Sequence, residues 1–297
     1  MSMITTFRGT GTALVTPFLN DGSVDYDAYY RLLDFQIENE IEYLVVGGST
    51  GESATMSLDE KETLFKKSVE YVAGRRPIIA GTGSNDTRAT IAFTKKAVDA
   101  GVDGILLVSP FYNKPTQNGL IEHFSAIASS ADTSFIIYNV PGRTASNILP
   151  ETQLAIAERN KNIIATKEAS ADLEQMMEII RSAPSHFTLL AGDDSLALPI
   201  IAAGGTGTIA VISNYAPKQF GDLVRLSING DFEKARKILY TLLPLMKANF
   251  LESNPIPVKG ALYLMGMIQK NIRLPLTPAT DSTLQQMKKA LQDAGIL

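Results

Sequence analysis

Cysteine is missing from all 297 residues. Thiol nucleophiles, disulfides, iron–sulfur clusters and cysteine-ligated zinc are thereby excluded. Histidine is scarce. His123 falls inside a helical pattern and His186 just ahead of a β-rich run, and neither has a metal-ligand partner at short spacing. Nothing suggests a Ser-His-Asp triad. A basic stripe is lacking as well. Net charge is −4, and the pairs Lys66-Lys67, Lys95-Lys96 and Lys288-Lys289 stand alone in helix-like segments, which reads as solvated faces and not as a nucleic-acid surface. No apolar run reaches membrane-spanning length, and the segment Met1–Thr10 contains no signal-peptide core. The expectation is a cytoplasmic protein with no nucleic-acid or membrane partner, long enough to bury a sizeable core.

Set against these absences, one residue is out of place. Lys167 ends the apolar run Ile163-Ile164-Ala165-Thr166. An ammonium among buried apolar residues is costly unless it is paired or neutral. If the run is a barrel strand, alternation puts Ile163, Ala165 and Lys167 on one face and delivers an amine to the barrel mouth. A desolvated amine has a lowered pKa and can attack a ketone to form a Schiff base.

Short β-rich runs alternate with amphipathic helical stretches along most of the chain. Eight candidate strands are Thr12–Thr16, Tyr43–Gly47, Pro77–Gly81, Gly104–Ser109, Phe135–Asn139, Ile163–Lys167, Thr188–Ala191 and Thr208–Ile212. Ser57 to Glu60 reads as a capping box opening a helix whose Phe65, Val69 and Val72 share one face. Eight such units predict a (β/α)8 TIM barrel over residues 1–229. An open doubly wound sheet would call for a GxGxxG turn after the first strand, and Thr16-Pro17-Phe18-Leu19-Asn20 is not one. After about Gly230 the strand pattern stops. Residues 230–297 read as a helical appendage, broken at Asn254-Pro255-Ile256-Pro257 and again at Leu274-Pro275-Leu276-Thr277-Pro278.

Barrel enzymes work at the C-terminal ends of their strands, which filters the candidates. The loop Gly47-Gly48-Ser49-Thr50-Gly51-Glu52 passes: its glycines admit an anion and its hydroxyls can bind a carboxylate or relay a proton, although a plain tight turn would look the same. Tyr138 at the end of the fifth strand and Tyr112 after the fourth can pass protons or serve as packing aromatics. Arg143 can hold a carboxylate or make a surface ion pair. Asp193 and Asp194 read as caps of the next helix in preference to metal ligands. Glu168, pointing away from the mouth, reads as a structural salt-bridge partner, and Gly204-Gly205-Thr206-Gly207 as a turn on the opposite face.

Taken together, the segments GGSTGESAT, IIAGTGSN, SPFYNKP, IIYNVPGRT, ATKEAS, LLAGDDS, NPIPVK and RLPLTP resemble the pyruvate-dependent Schiff-base lyases and aldolases over nearly the whole chain. The resemblance implies a (β/α)8 barrel with a C-terminal helical region, a homotetramer built as a dimer of dimers, and no metal or organic cofactor. It implies that Lys167 forms the Schiff base with pyruvate and that Tyr138 shuttles protons beside it. Ser49, where the family commonly has threonine, links Tyr138 to Tyr112, which reaches into the neighbouring subunit's site. Thr50 binds the pyruvate carboxylate, and Gly192 and Ile209 line the pocket with backbone groups. Arg143 favours an acceptor that carries a carboxylate, aspartate semialdehyde, over the sugar aldehyde of the N-acetylneuraminate lyase branch, which GSTGE also resembles. Where lysine-inhibited relatives carry His, His, Glu and Tyr, this chain has Leu58, Lys61, Ala89 and Phe111, with Asn85 kept, so weak or absent lysine inhibition is expected.

Overall fold

Eight parallel strands close on themselves in chain order: β1 (Gly9–Ala13), β2 (Tyr43–Val46), β3 (Ile78–Gly81), β4 (Gly104–Val108), β5 (Ser134–Asn139), β6 (Ile163–Glu168), β7 (Thr188–Ala191) and β8 (Gly207–Ala210), which pairs back onto β1. This computed structural model describes residues 7–297, so most of the N-terminal segment read above for a signal core lies outside the described residues. A helix follows every strand, and the predicted (β/α)8 barrel is the observed one. Ser57 and Glu60 form the expected reciprocal cap on the helix Leu58–Val72.

Alternation along each strand sorts the core into two layers. Val45, Ile79, Leu106, Ile136, Leu190 and Ile209 fill the barrel interior, while Leu44, Ile78, Ile105, Ile137, Leu189 and Ala210 pack outward under the helices. Tyr43 lies across the interior and donates its hydroxyl to the Thr208 carbonyl at 3.0 Å. The ring passes so close to Gly11 that a Cβ there would meet it at 2.0 Å, so this position on β1 must be glycine.

Three expectations shift. β1 begins and ends three residues earlier than Thr12–Thr16, because the barrel needs Gly9 and Gly11 as strand residues where propensity disfavours them. β8 ends at Ala210, where Val211 turns into a short 3-10 helix, Ile212–Asn214. Ile163 does not share a face with Lys167. Phe135 pairs with Ile163 but Ile136 with Ala165, so Ile164 is the extra residue of a bulge; Ile163 packs outward, and both Ile164 and Ala165 face the interior.

The C-terminal helix Phe232–Ala248 lies against the last barrel helix, Pro217–Ile228, and the helix Asp281–Asp293 packs on it. Between them, residues 249–273 cross the C-terminal mouth of the barrel, so the tail is part of the site's wall as well as an appendage. Among the described residues no helix is long and apolar enough to cross a membrane.

Candidate active site

A cavity of about 630 Å³ opens at the C-terminal end of the barrel. Its walls bring together Lys167, Tyr138, Ser49, Thr50, Arg143 and Gly192, six of the eight candidate site residues. Ile209 lies in the packed interior on β8, and Val211 lines the cavity from that side. Tyr112, expected in a neighbouring subunit's site, lies on the loop after β4, is 90 % exposed and belongs to no wall of this chain's cavity. Its backbone is left-handed, φ 72°, a conformation that bulky residues rarely adopt.

Lys167 is 5 % exposed, with its Nζ 4.2 Å from the centroid of the Tyr138 ring. Register places the two residues directly opposite each other on β5 and β6. Burial lowers the Lys167 pKa from 10.5 to about 8; Asp194 and Asp193 oppose that fall, and the Arg143 guanidinium assists it. Burial likewise pushes the Tyr138 phenol up to about 12, so it remains a protonated donor at neutral pH, with Arg143 pulling slightly the other way. Arg143 rides on a single helical turn, Pro141–Thr144, and its Nη2 reaches the main-chain oxygen of Asn254 at 3.4 Å.

Two acidic features differ from expectation. Among the described residues, Glu168 on the outer face of β6 has no cation partner. It accepts hydrogen bonds from the side-chain amides of Asn139, Gln153 and Gln175 and from the Ser170 N–H. Burial raises its pKa, and these four donors restrain the rise. Asp194 does not cap its own helix. Its carboxylate accepts the N–H groups of Val211 (3.0 Å) and Ile212 (2.8 Å), and so ties the end of β7 to the end of β8; burial raises its pKa to about 6 against the pull of those bonds. Asp193 lines the cavity. No group of three or more His, Cys, Asp or Glu that could hold a metal ion occurs among the described residues.

The loop bearing Ser49 and Thr50 is braced from behind. Glu52 takes a left-handed backbone, φ 56°, and its side chain pairs with Lys259, each 2 % exposed. Lys259 also donates to the Thr16 carbonyl, 3.0 Å, and Glu52 accepts the Arg273 N–H, 3.0 Å. Asn254 donates its side-chain amide to Thr50 Oγ1 at 2.9 Å. The sequence marks NPIPVK as a helix break and a motif but gives Asn254 and Lys259 no role; the signal available was an amide and a lysine beside helix-breaking prolines.

A second, smaller cavity of about 200 Å³ shares Gly48, Ser49, Leu106 and Tyr138 with the first and extends to Leu58, Lys61, Ala89 and Phe93. Lys61 is half-buried there, its Nζ 4.9 Å from the centroid of the Phe93 ring, and burial lowers its pKa.

Comparison with known proteins agrees with this architecture. The chain is 47 % identical over 294 residues to 4-hydroxy-tetrahydrodipicolinate synthase of Thermotoga neapolitana, covering 98 % of this chain and all of that one. It is 49 % identical to the enzyme of the same name from Koribacter versatilis, over 98 % of this chain and 97 % of the relative. The crystal structure of dihydrodipicolinate synthase from Thermotoga maritima superposes with a TM-score of 0.96 at 45 % identity, covering 98 % of this chain and 99 % of the other. Residues 6–294 match the model of the dihydrodipicolinate synthetase family, and with that breadth of likeness the chain belongs to it.

Proposed function

We propose that this chain acts in the cytoplasm, condensing pyruvate with L-aspartate 4-semialdehyde through a Schiff base on Lys167 to give 4-hydroxy-tetrahydrodipicolinate for lysine and diaminopimelate biosynthesis. The observation that carries this reading is a buried amine with a pKa of about 8 in the wall of a cavity that also presents a hydroxyl, a phenol and a guanidinium. The neutral amine attacks the pyruvate ketone, and loss of water leaves an iminium. The iminium draws electrons from the methyl carbon, which gives up a proton and becomes an enamine. That carbon attacks the aldehyde of the second substrate. The second substrate's amino group then attacks the iminium carbon and displaces Lys167, closing the ring and freeing the enzyme.

Thr50 receives the pyruvate carboxylate, Gly192 offers backbone beside it, and Arg143 at the rim receives the carboxylate of the aldehyde. Tyr138 and Ser49 pass protons. The relay needs a second phenol; among the described residues Tyr138 is the tyrosine lining the cavity, and Tyr112 projects outward in a strained conformation. We therefore assign Tyr112 to the site of a second copy, in a dimer that doubles to a homotetramer.

Pyruvate consumption measured with aspartate semialdehyde, beside N-acetylmannosamine, tests the acceptor: turnover with aspartate semialdehyde alone is expected, and turnover with the sugar alone would reject the reading. Borohydride reduction in the presence of pyruvate should add one reduced pyruvate to the wild-type mass and none to Lys167→Ala, whose activity should fall at least about a thousandfold. Free lysine should inhibit weakly or not at all. The lining of the smaller cavity includes no carboxylate; Lys96 there is paired with Glu62 at 2.6 Å, and a cationic amino acid meets the like charge of Lys61. Strong inhibition at modest lysine concentration would refute this.

A further inference from the structure

We infer that Asn254 is a positioning residue that aims the Thr50 hydroxyl at the substrate carboxylate; the inference rests on Thr50 being the carboxylate binder proposed above. A hydroxyl has one proton to give and two lone pairs, whereas a carboxylate only accepts. Thr50 is therefore useful to a carboxylate only when its proton points into the cavity. Thr50 is almost fully buried, and the Asn254 amide, 2.9 Å from its Oγ1, occupies a lone pair by donating to it. The hydroxyl proton is then left for the cavity that both residues line.

The reverse amide orientation would aim Oδ1 at Thr50 and take that proton away from the substrate. It would also place the amide protons where Oδ1 now sits buried with no partner. An unpaired carbonyl oxygen is tolerated more readily than unpaired donors, so the observed orientation is the preferred one. The main chain of the same residue accepts from Arg143, so its backbone position is held independently of its side chain. Through the Glu52–Lys259 pair, the helix Ile256–Leu264 that follows Asn254 holds the far end of the Thr50 loop.

Asn254→Asp tests this, because its carboxylate accepts the Thr50 proton. KM for pyruvate should rise about 10- to 100-fold, the scale of a lost charge-assisted hydrogen bond, while kcat and KM for the aldehyde change little. The added negative charge could act without Thr50, so the same substitution is made on Thr50→Val. There the penalty should shrink to about a few-fold, since no hydroxyl remains to be misdirected. Asn254→Ala, which removes the donor but leaves the hydroxyl free to rotate, should raise KM by a smaller factor and again only when Thr50 is present; it decides the matter if the aspartate variant fails to fold. Equal penalties with and without the Thr50 hydroxyl, a fall in kcat at constant KM, or a wild-type KM in Asn254→Asp would each overturn the inference. Borohydride trapping of wild-type enzyme with pyruvate is run alongside. If no adduct forms, the Schiff-base reading fails; if the adduct forms and the Asn254 pattern is absent, only the role of Asn254 fails.

Discussion

A lysine with its ordinary pKa of 10.5 would be neutral in about one molecule in three thousand at pH 7, whereas at about 8 roughly a tenth is neutral. Burial at the end of β6 thus raises the neutral fraction a few hundredfold. The pH dependence follows. For free enzyme and pyruvate, kcat/KM should rise about tenfold per unit below pH 8 and level off above it. Asp193 holds the ammonium form, so Asp193→Asn should lower the lysine pKa and move the limb to lower pH. Arg143 disfavours the ammonium, so Arg143→Leu should move it to higher pH. A profile unaltered by both changes would show that another group sets the limb. Lys167 was legible in sequence because a charge closing an apolar run violates patterning. Asn254 was not: its partner Thr50 lies 204 positions away, and an asparagine before a proline looks like a turn residue.

Two strands place Lys167 beside Tyr138, and both are locked from the helix side. Glu168 and Asn139 end β6 and β5 one residue beyond Lys167 and Tyr138, and are hydrogen-bonded to each other at 3.0 Å. Gln153 and Gln175 add donors from the two helices that flank β6. Glu168→Gln replaces one acceptor oxygen with an amide NH2 that faces donors, and should cost about 1–3 kcal/mol while lowering kcat. A denaturation midpoint equal to wild type would show the cluster to be dispensable. Strand positions were readable from apolar runs, since most of the barrel alternates cleanly. The bulge at Ile164 was not, because an extra residue in a buried run leaves the same apolar string on the page. The amide cradle of Glu168 was hidden for a related reason: charge suggests a charged partner, and three side-chain amides from separate elements carry no signature.

One chain completes the barrel, and if the proposed relay runs through Tyr112 the working unit extends beyond that chain. If Tyr112 serves a partner's site, Lys167→Ala and Tyr112→Phe should each be nearly inactive, yet mixing and reassociating them should restore about a quarter of wild-type activity, because half the dimers are hybrids with one intact site. No recovery in verified hybrids would return Tyr112 to its own chain's site. The (β/α)8 fold was legible from eight repeated units; the course of the tail over the barrel mouth was not, since nothing in its helical pattern says where it docks. That course bears on how the protein is made. Glu52 is translated 207 positions ahead of Lys259, its buried counter-charge. A ribosome releases all eight strands before it reaches that lysine, so a nascent chain can close its barrel while the carboxylate under the Ser49–Thr50 loop still faces water. The loop acquires its final brace only near the end of synthesis, and no product of premature termination before residue 259 contains it.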